Sequence, residues 1–315
     1  MRKSEAGFTL IELLVSIVIL MIVSGSALEG VFRLTKVSRT VSNRTEMHSG
    51  VRNATELLQQ EVGQAGRIAL PNRVQLAAAI TTAGANTVVV NAVNDAGTVL
   101  STVNGTAGMF VREKLVIDTG ANEETVTLTG VNGTNKQITA TFMLPHAANV
   151  PINVYGGFRQ GIIPTTVANG STGAIMKMLG DINSDGNLEY VEYKCDTSAG
   201  NLYRRTMPFN ATSKPSITAD MTLLNNITAN PDGTACFTYQ QRTHNGEPFV
   251  VDVAITLTVQ TTDKDPVTGL YQTETKALLN VSPRNVFNVW QLAGLGISNR
   301  VQPLPATVTT LIGLP

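Results

Sequence analysis

The stretch GFTLIELLVSIVILMIVSGSAL, residues 7–28, decides how the rest of the chain is read. From Phe8 to Leu28 it carries a single charge, Glu12. A helix over those residues spans roughly 30 Å, the thickness of a bilayer's hydrocarbon core. Arg2 and Lys3 precede it and favour leaving that short end in the cytoplasm. A cleavable secretory signal is the plain alternative, but the apolar run is too long for one and begins with a carboxylate. An unpaired carboxylate within lipid costs on the order of 2.5–3.5 kcal/mol, so Glu12 needs a partner or a place among the headgroups.

The composition outside this segment narrows the function. The 315 residues hold 23 Lys+Arg against 23 Asp+Glu, which argues against a basic nucleic-acid groove and against an acidic tail. Only 15% of residues are charged while 43% are hydrophobic, which fits one greasy segment joined to a neutral body solvated by Thr, Asn and Gly. Three histidines and two cysteines leave little room for a zinc cluster. His48 lies in helical sequence, His146 follows Pro145, and His244 precedes an Asn-Gly turn. None belongs to a nucleophile–base arrangement, and no phosphate-binding Gly-rich loop is present. A non-enzyme is expected.

Past Leu28 the pattern stays helical. Val37, Val41, Val51, Ala54, Leu58, Val62 and Ala65 recur at steps of three and four, with Arg33, Lys36, Arg39, Glu56 and Glu61 among the positions between. One helix over about residues 8–66 is predicted, bent or broken near Ser24-Gly25-Ser26, its second half packed on a globular head. The ragged stripe and Gly50 weigh against a coiled-coil dimer. From about residue 70 strands take over: 87–93, 109–118, 124–131, 137–144, 188–195, 201–207, 236–241, 249–260 and 271–281. Asn-Gly at 104–105, 132–133 and 245–246 and Asp-Gly at 185–186 and 232–233 mark turns. The fold class is therefore α+β: a long N-terminal helix, first transmembrane and then amphipathic, against a β-rich head. The expected divisions are a leader 1–7, a membrane segment 8–28, its amphipathic continuation 29–68, the head 69–291 and a loosely attached tail 292–315. Residues 71–110 carry only Arg73 and Asp95 as charges and read as a low-charge surface insertion.

Two features of the head carry chemistry. Asp181-Ile-Asn183-Ser-Asp185-Gly186-Asn187-Leu188-Glu189-Tyr-Val-Glu192 matches the calcium-loop pattern D-x-[DN]-x-[DN]-G-x₅-E. Asp181, Asn183, Asp185, the Asn187 carbonyl and a bidentate Glu192 supply about six oxygens for Ca2+, with Glu189 or water as a seventh. The flanks read as strands and not as paired helices, so a structural extracytoplasmic site is expected and not an opening sensor. A metal-free Asx-rich turn is the alternative. The only cysteines, Cys195 and Cys236, suit either a disulfide in an oxidising compartment or two buried thiols.

Gly7-Phe8-Thr9-Leu10-Ile11-Glu12-Leu13, behind a short basic leader, resembles the processing site of type IV prepilins and type II secretion pseudopilins. The resemblance implies cleavage after Gly7 by a prepilin peptidase and N-methylation of Phe8. It implies that Glu12 neutralises the Phe8 amine of a neighbouring subunit during assembly. It further implies a pilin-like fold, a single inner-membrane pass with an extracytoplasmic head, an inner-membrane assembly platform, and a filament of pilins or pseudopilins at the surface or in the periplasm. Leu57–Gly66, Val191-Glu192-Tyr193, Gly200-Asn201-Leu202-Tyr203-Arg204 and Val253–Val259 are similar to minor pilins of the PilW kind, with GspJ-type pseudopilins second. A minor pilin that helps start or assemble the fibre is the expectation; a secretion pseudopilin or a membrane-tethered adhesin are the alternatives.

Overall fold

The computed structural model describes Gly7 and residues 9–314. Its first element, α1 (Leu10–Gln64), is one helix of 55 residues, unbroken through Ser24-Gly25-Ser26. The serines there do not melt it: the Ser26 hydroxyl donates to the Ile22 carbonyl at 2.9 Å, satisfying itself on the preceding turn. The helix is thus not broken at this point. The chain divides into two compact units, Met1–Gly50 with Gln260–Glu274, and Val51–Val259 with Thr275–Pro315.

In the first unit the apolar side chains of α1 from Leu10 to Val41 stand exposed. The helix is long and apolar enough to cross a membrane. Residues 260–274 form a loop closed by the Thr261 N–H donating to the Gln272 carbonyl at 2.8 Å. The Asp265 carboxylate organises its tip, accepting the N–H groups of Val267 and Thr268 at 2.7 and 3.0 Å. Gln272 bonds Arg44 of the helix, and Glu274 pairs with His48.

The second unit begins where the helical stripe finds partners. Val51, Ala54, Leu58, Val62 and Ala65 are buried, whereas Val37 and Val41, earlier in the same stripe, are not. Gly66 ends the helix at φ +82, a conformation only glycine enters freely, and its N–H donates to the Leu179 carbonyl at 2.8 Å. A Cβ on Gly161 would lie 2.2 Å from the Gly66 Cα, so both glycines are needed for that approach.

After the helix come β1 (Arg73–Leu76), β2 (Gly84–Val93), β3 (Lys114–Ile117), β4 (Glu124–Asn132), β5 (Gln137–Phe142) and β6 (Pro151–Val154). They close into a barrel in the order β1-β2-β5-β4-β3-β6. Inward-pointing Leu76, Val90, Leu115, Ile117, Leu128, Ile138 and Phe142 fill it. The segment expected to be a surface insertion therefore supplies two barrel strands. Its inward residues, among them Val74, Leu76 and Val90, join the closed core, while residues 94–99 remain an exposed, low-charge surface.

β7 (Gly157–Phe158) leads to a second sheet of β8 (Ile175–Gly180), β9 (Glu189–Asp196), β10 (Asn201–Pro208) and β11 (Thr222–Asn225), ordered β11-β10-β9-β8. A third contains β12 (Ile227–Thr228), β13 (Phe237–His244), β14 (Glu247–Gln260) and β15 (Thr273–Val281). The β13–β14 hairpin turns on Asn245 and Gly246 at φ 49° and 79°, the left-handed pair that Asn-Gly supplies. α2 (Arg284–Gly294) buries Val286, Val289 and Ala293 against Phe249 and Val251. β16 (Val301–Gln302) runs parallel to β7. α3 (Ala306–Gly313) sets Val308, Leu311 and Ile312 into one core with Phe158, Leu179 and Tyr190. The region after Leu292, expected to be loosely attached, is packed: its Gln302 is fully buried.

Candidate functional sites in the helix start and the acidic sheet

The helix start is built by a capping box. Thr9 precedes the first helical residue, and its Oγ1 accepts the Glu12 N–H at 3.4 Å. The Glu12 carboxylate answers by accepting the Thr9 N–H at 2.9 Å and the Thr9 hydroxyl at 2.8 Å. The pattern T-x-x-E is a helix-start signature readable in the sequence, and it gives Glu12 a local partner that sequence reasoning missed. Gly7 is exposed one residue before Phe8. Phe8, the expected methylation position, and leader residues 1–6 lie outside the described residues.

The acidic loop is formed in part. Gly186 takes φ +84, and a Cβ there would meet the Pro71 Cα at 2.7 Å, so the sharp turn expected at this glycine is present. Asp185 gathers its neighbours: it accepts the Asn187 N–H at 2.7 Å and the Asn183 amide at 2.9 Å. The Asn187 N–H, foremost, holds its carboxyl below the usual range. The Asp181 carboxylate is fully buried with no hydrogen bond to either oxygen, and Arg67 Nε lies 3.4 Å from it.

Glu192 does not join them. It sits on β9, and three residues along a strand reverse the face, so Glu189 and Glu192 point to opposite sides of the sheet. In the helix-flanked form of the loop the last ligand is aimed back at the metal; here the strand turns it away. Glu192 instead pairs with Lys214 at 2.8 Å, with Arg205, and with Lys177 at 3.9 Å, and accepts the Tyr190 hydroxyl at 2.7 Å. Burial pushes its carboxyl up, but the bonds from Lys214, Arg205 and Tyr190 outweigh that and hold it below the ordinary value. Glu189 is on the other face, where burial raises its carboxyl, Arg204 opposes, and Asp185 adds repulsion. Among the described residues no three His, Cys, Asp or Glu side chains converge as a metal centre.

That opposite face holds a cluster not foreseen as a site. Glu61 of α1 takes a two-pronged contact from Arg204, at 3.0 Å from Nε and 2.7 Å from a terminal nitrogen, and the Tyr193 hydroxyl at 2.5 Å. Arg204 and Tyr193 belong to β10 and β9, so a charged clamp ties the helix to the sheet. Cys195, two residues beyond Tyr193, is disulfide-bonded to Cys236, joining β9 to the segment entering β13. In the barrel, buried His146 has Asp118 at 3.3 Å from Nδ1 and Glu124 at 2.7 Å from Nε2. Both ring nitrogens face carboxylates, an arrangement that crosslinks loops.

Residues 2–28 match the family model described as the prokaryotic N-terminal methylation motif. No curated protein and no solved structure matches the chain. The match covers the leader, the Gly7–Phe8 junction, the capping box and the apolar start of α1, and α1 is followed by a β-rich head. The motif implies processing by a prepilin peptidase and assembly with other pilin-type subunits, and the exposed apolar helix is compatible with a membrane-anchored pilin. The chain carries the N terminus and the α+β plan of a type IV pilin-like or pseudopilin-like precursor.

Proposed function

We propose that the protein is a minor pilin-like, non-catalytic subunit acting in the initiation or assembly of a type IV pilus or related filament. The observation that carries this reading is the methylation motif on a helix whose apolar side chains from Leu10 to Val41 have no cover in the monomer. Before assembly the bilayer covers them; in a filament, the helices of other subunits do. Glu12 serves registration, its carboxylate exchanging the Thr9 cap for the Phe8 amine of a neighbour in a medium where such a pair is strong. The head stands on the extracytoplasmic side, in keeping with the disulfide at Cys195 and Cys236. Intact-mass and N-terminal analysis of the protein co-produced with a prepilin peptidase tests this. The expected product begins at N-methylated Phe8, and retention of residues 1–7 would end the proposal. The filament's machinery is tested by partner: co-purification with pilus subunits supports the minor-pilin role, and with secretion subunits alone the pseudopilin role.

Calcium belongs to the proposal in an altered form. The buried Asp181 carboxylate, which has no hydrogen bond and has the Arg67 guanidinium 3.4 Å away, and the Gly186 turn fit a cation held with Asn183, Asp185 and the Asn187 carbonyl; Glu192 does not fit, and Glu189 takes its place. Calorimetric titration of the full chain in detergent decides it. Heat lost in Asp185→Asn supports the site, and no heat at about millimolar Ca2+ removes it.

A further inference from the structure

Away from both regions, the second unit contains a cavity of about 600 Å³ where three parts of the fold meet. The barrel contributes Arg112 and Lys114, the β13–β14 hairpin contributes His244, Glu247 and Phe249, and the C-terminal segment contributes Val301 to Pro303. Arg159 completes the wall. Two guanidinium groups and a lysine thus line it with one carboxylate, in a chain whose overall charge is zero.

The cations are held unequally, and the Lys114 ammonium spends one proton on the Ser298 carbonyl at 2.5 Å. Gln302, fully buried, accepts the Lys114 N–H at 2.9 Å and donates to the Lys114 carbonyl at 2.8 Å, so the lysine's backbone is clamped. Arg159 spends one terminal nitrogen on Glu247 at 3.1 Å, while its Nε is buried without a hydrogen-bond partner. A buried guanidinium donor left unpaired is costly unless something supplies an acceptor. Burial, and then the nearby Arg159 guanidinium, holds the Lys114 ammonium below the ordinary lysine range. Arg112 occupies φ +76 although it is not glycine, its N–H donating to the Leu128 carbonyl at 2.7 Å. Its side chain is exposed at the cavity and has no partner among the described residues. Non-glycine residues held in that region concentrate at ligand sites.

We propose that this cavity binds a small organic anion, its carboxylate or phosphate group seated among Arg159, Lys114 and Arg112 and its body resting on Phe249, Val301 and Pro303. Planar guanidinium forks match both oxyanions in two-pronged fashion. The volume falls in the range of small-molecule sites, which a bare ion would leave mostly to water. This goes beyond the filament reading and does not depend on it, because binding is read on the isolated chain.

The test is calorimetric or saturation-transfer titration of the full chain in a nonionic detergent with glucuronate, glucose 6-phosphate, glucose and inorganic phosphate. Expected are saturable binding of the two sugar anions at about 1 mM or tighter and no binding of glucose. Losses of about tenfold or more are expected in Arg159→Gln and in Arg112→Gln. Arg112→Gln guards against misfolding, since the arginine side chain has no bond among the described residues and the variant's melting temperature should equal that of the parent. Absence of saturation by either sugar anion, equal binding of glucose, or unchanged affinity in a folded Arg112→Gln variant would each overturn the proposal. Inorganic phosphate binding as tightly as glucose 6-phosphate would overturn the organic-ligand assignment, leaving an adventitious ion only.

Discussion

The two halves of α1 are one helix with opposite surroundings. Leu14 is 56% exposed and Leu58 is fully buried, although both are leucines on the same continuous element. One acid from each half shows the same contrast. Glu12 is exposed and, among the described residues, its carboxylate is answered only by Thr9, one turn away, whereas Glu61 is buried and held by Arg204 and Tyr193 from the sheet. A helix gains most of its stability in a protein from what its apolar face meets, not from propensity. The second half finds that partner within the monomer. The first does not, so its hydrophobicity is addressed to lipid or to other subunits.

The comparison breaks most visibly at Glu61. Glu61→Ala leaves the Arg204 guanidinium and the Tyr193 hydroxyl without their shared carboxylate, and removing one partner of such a largely buried pair costs about 3–5 kcal/mol. Urea unfolding followed in detergent should show that loss as a lower midpoint at unchanged slope. A variant as stable as the parent would mean the clamp is ornamental. Next in size, Leu58→Ala should cost about 2–5 kcal/mol through the cavity it leaves, while Leu14→Ala should stay within about 0.5 kcal/mol in the same assay. Equal effects at the two leucines would erase the distinction between the halves.

How much of this was legible before folding depends on the kind of signal. The helix was, because its apolar residues either run together or recur at its period, and β4, β5 and β14 followed from Val/Thr-rich runs beside Asn-Gly turns. The barrel was not, since Arg73–Leu76 and Pro151–Val154 are too short to announce themselves and gain meaning only from strands far away in the chain. α3 reads Ala-Thr-Val-Thr-Thr-Leu-Ile-Gly, β-branched residues made helical by the core that receives Val308 and Leu311. Of the acidic loop, the turn at Gly186 was readable and the fate of Glu192 was not. The pattern presumes a following helix, and the strand that follows here inverts every second side chain.

A buried carboxyl with one local N–H and no charged partner sharpens the contrast between Glu12 and Glu61. Glu113 is fully buried, accepts one N–H from Phe110 at 3.2 Å, and leaves its second oxygen unpartnered. Burial pushes its pKa up to about 8, against the Phe110 bond. A carboxyl raised on folding contributes stability that is whole below its unfolded value near 4.5 and declines as pH rises to about 8. Glu113→Gln should therefore flatten that decline and gain about 1–3 kcal/mol relative to the parent at pH 8, with little difference at pH 4. Melting curves of parent and variant across this window check it, and parallel curves would show the carboxyl is ionised without penalty.

The smallest effect separates the two roles of Glu12. In the monomer its carboxylate caps the helix through Thr9; in the proposed filament it faces the amine of a neighbouring Phe8. Thr9→Ala removes the threonine's own contribution to the box, the hydroxyl that bonds Glu12 and accepts its N–H, but leaves the carboxylate free. Amide exchange at Ile11 to Leu13 should quicken with no change in unfolding midpoint, because this turn packs on nothing in the monomer. Incorporation into filaments should survive Thr9→Ala and fail in Glu12→Gln, which keeps the shape of the side chain but removes its charge. If both variants assemble alike, capping alone accounts for the glutamate and its registering role is gone. If both fail, helix order at the first turn, and not the charge, is what assembly requires.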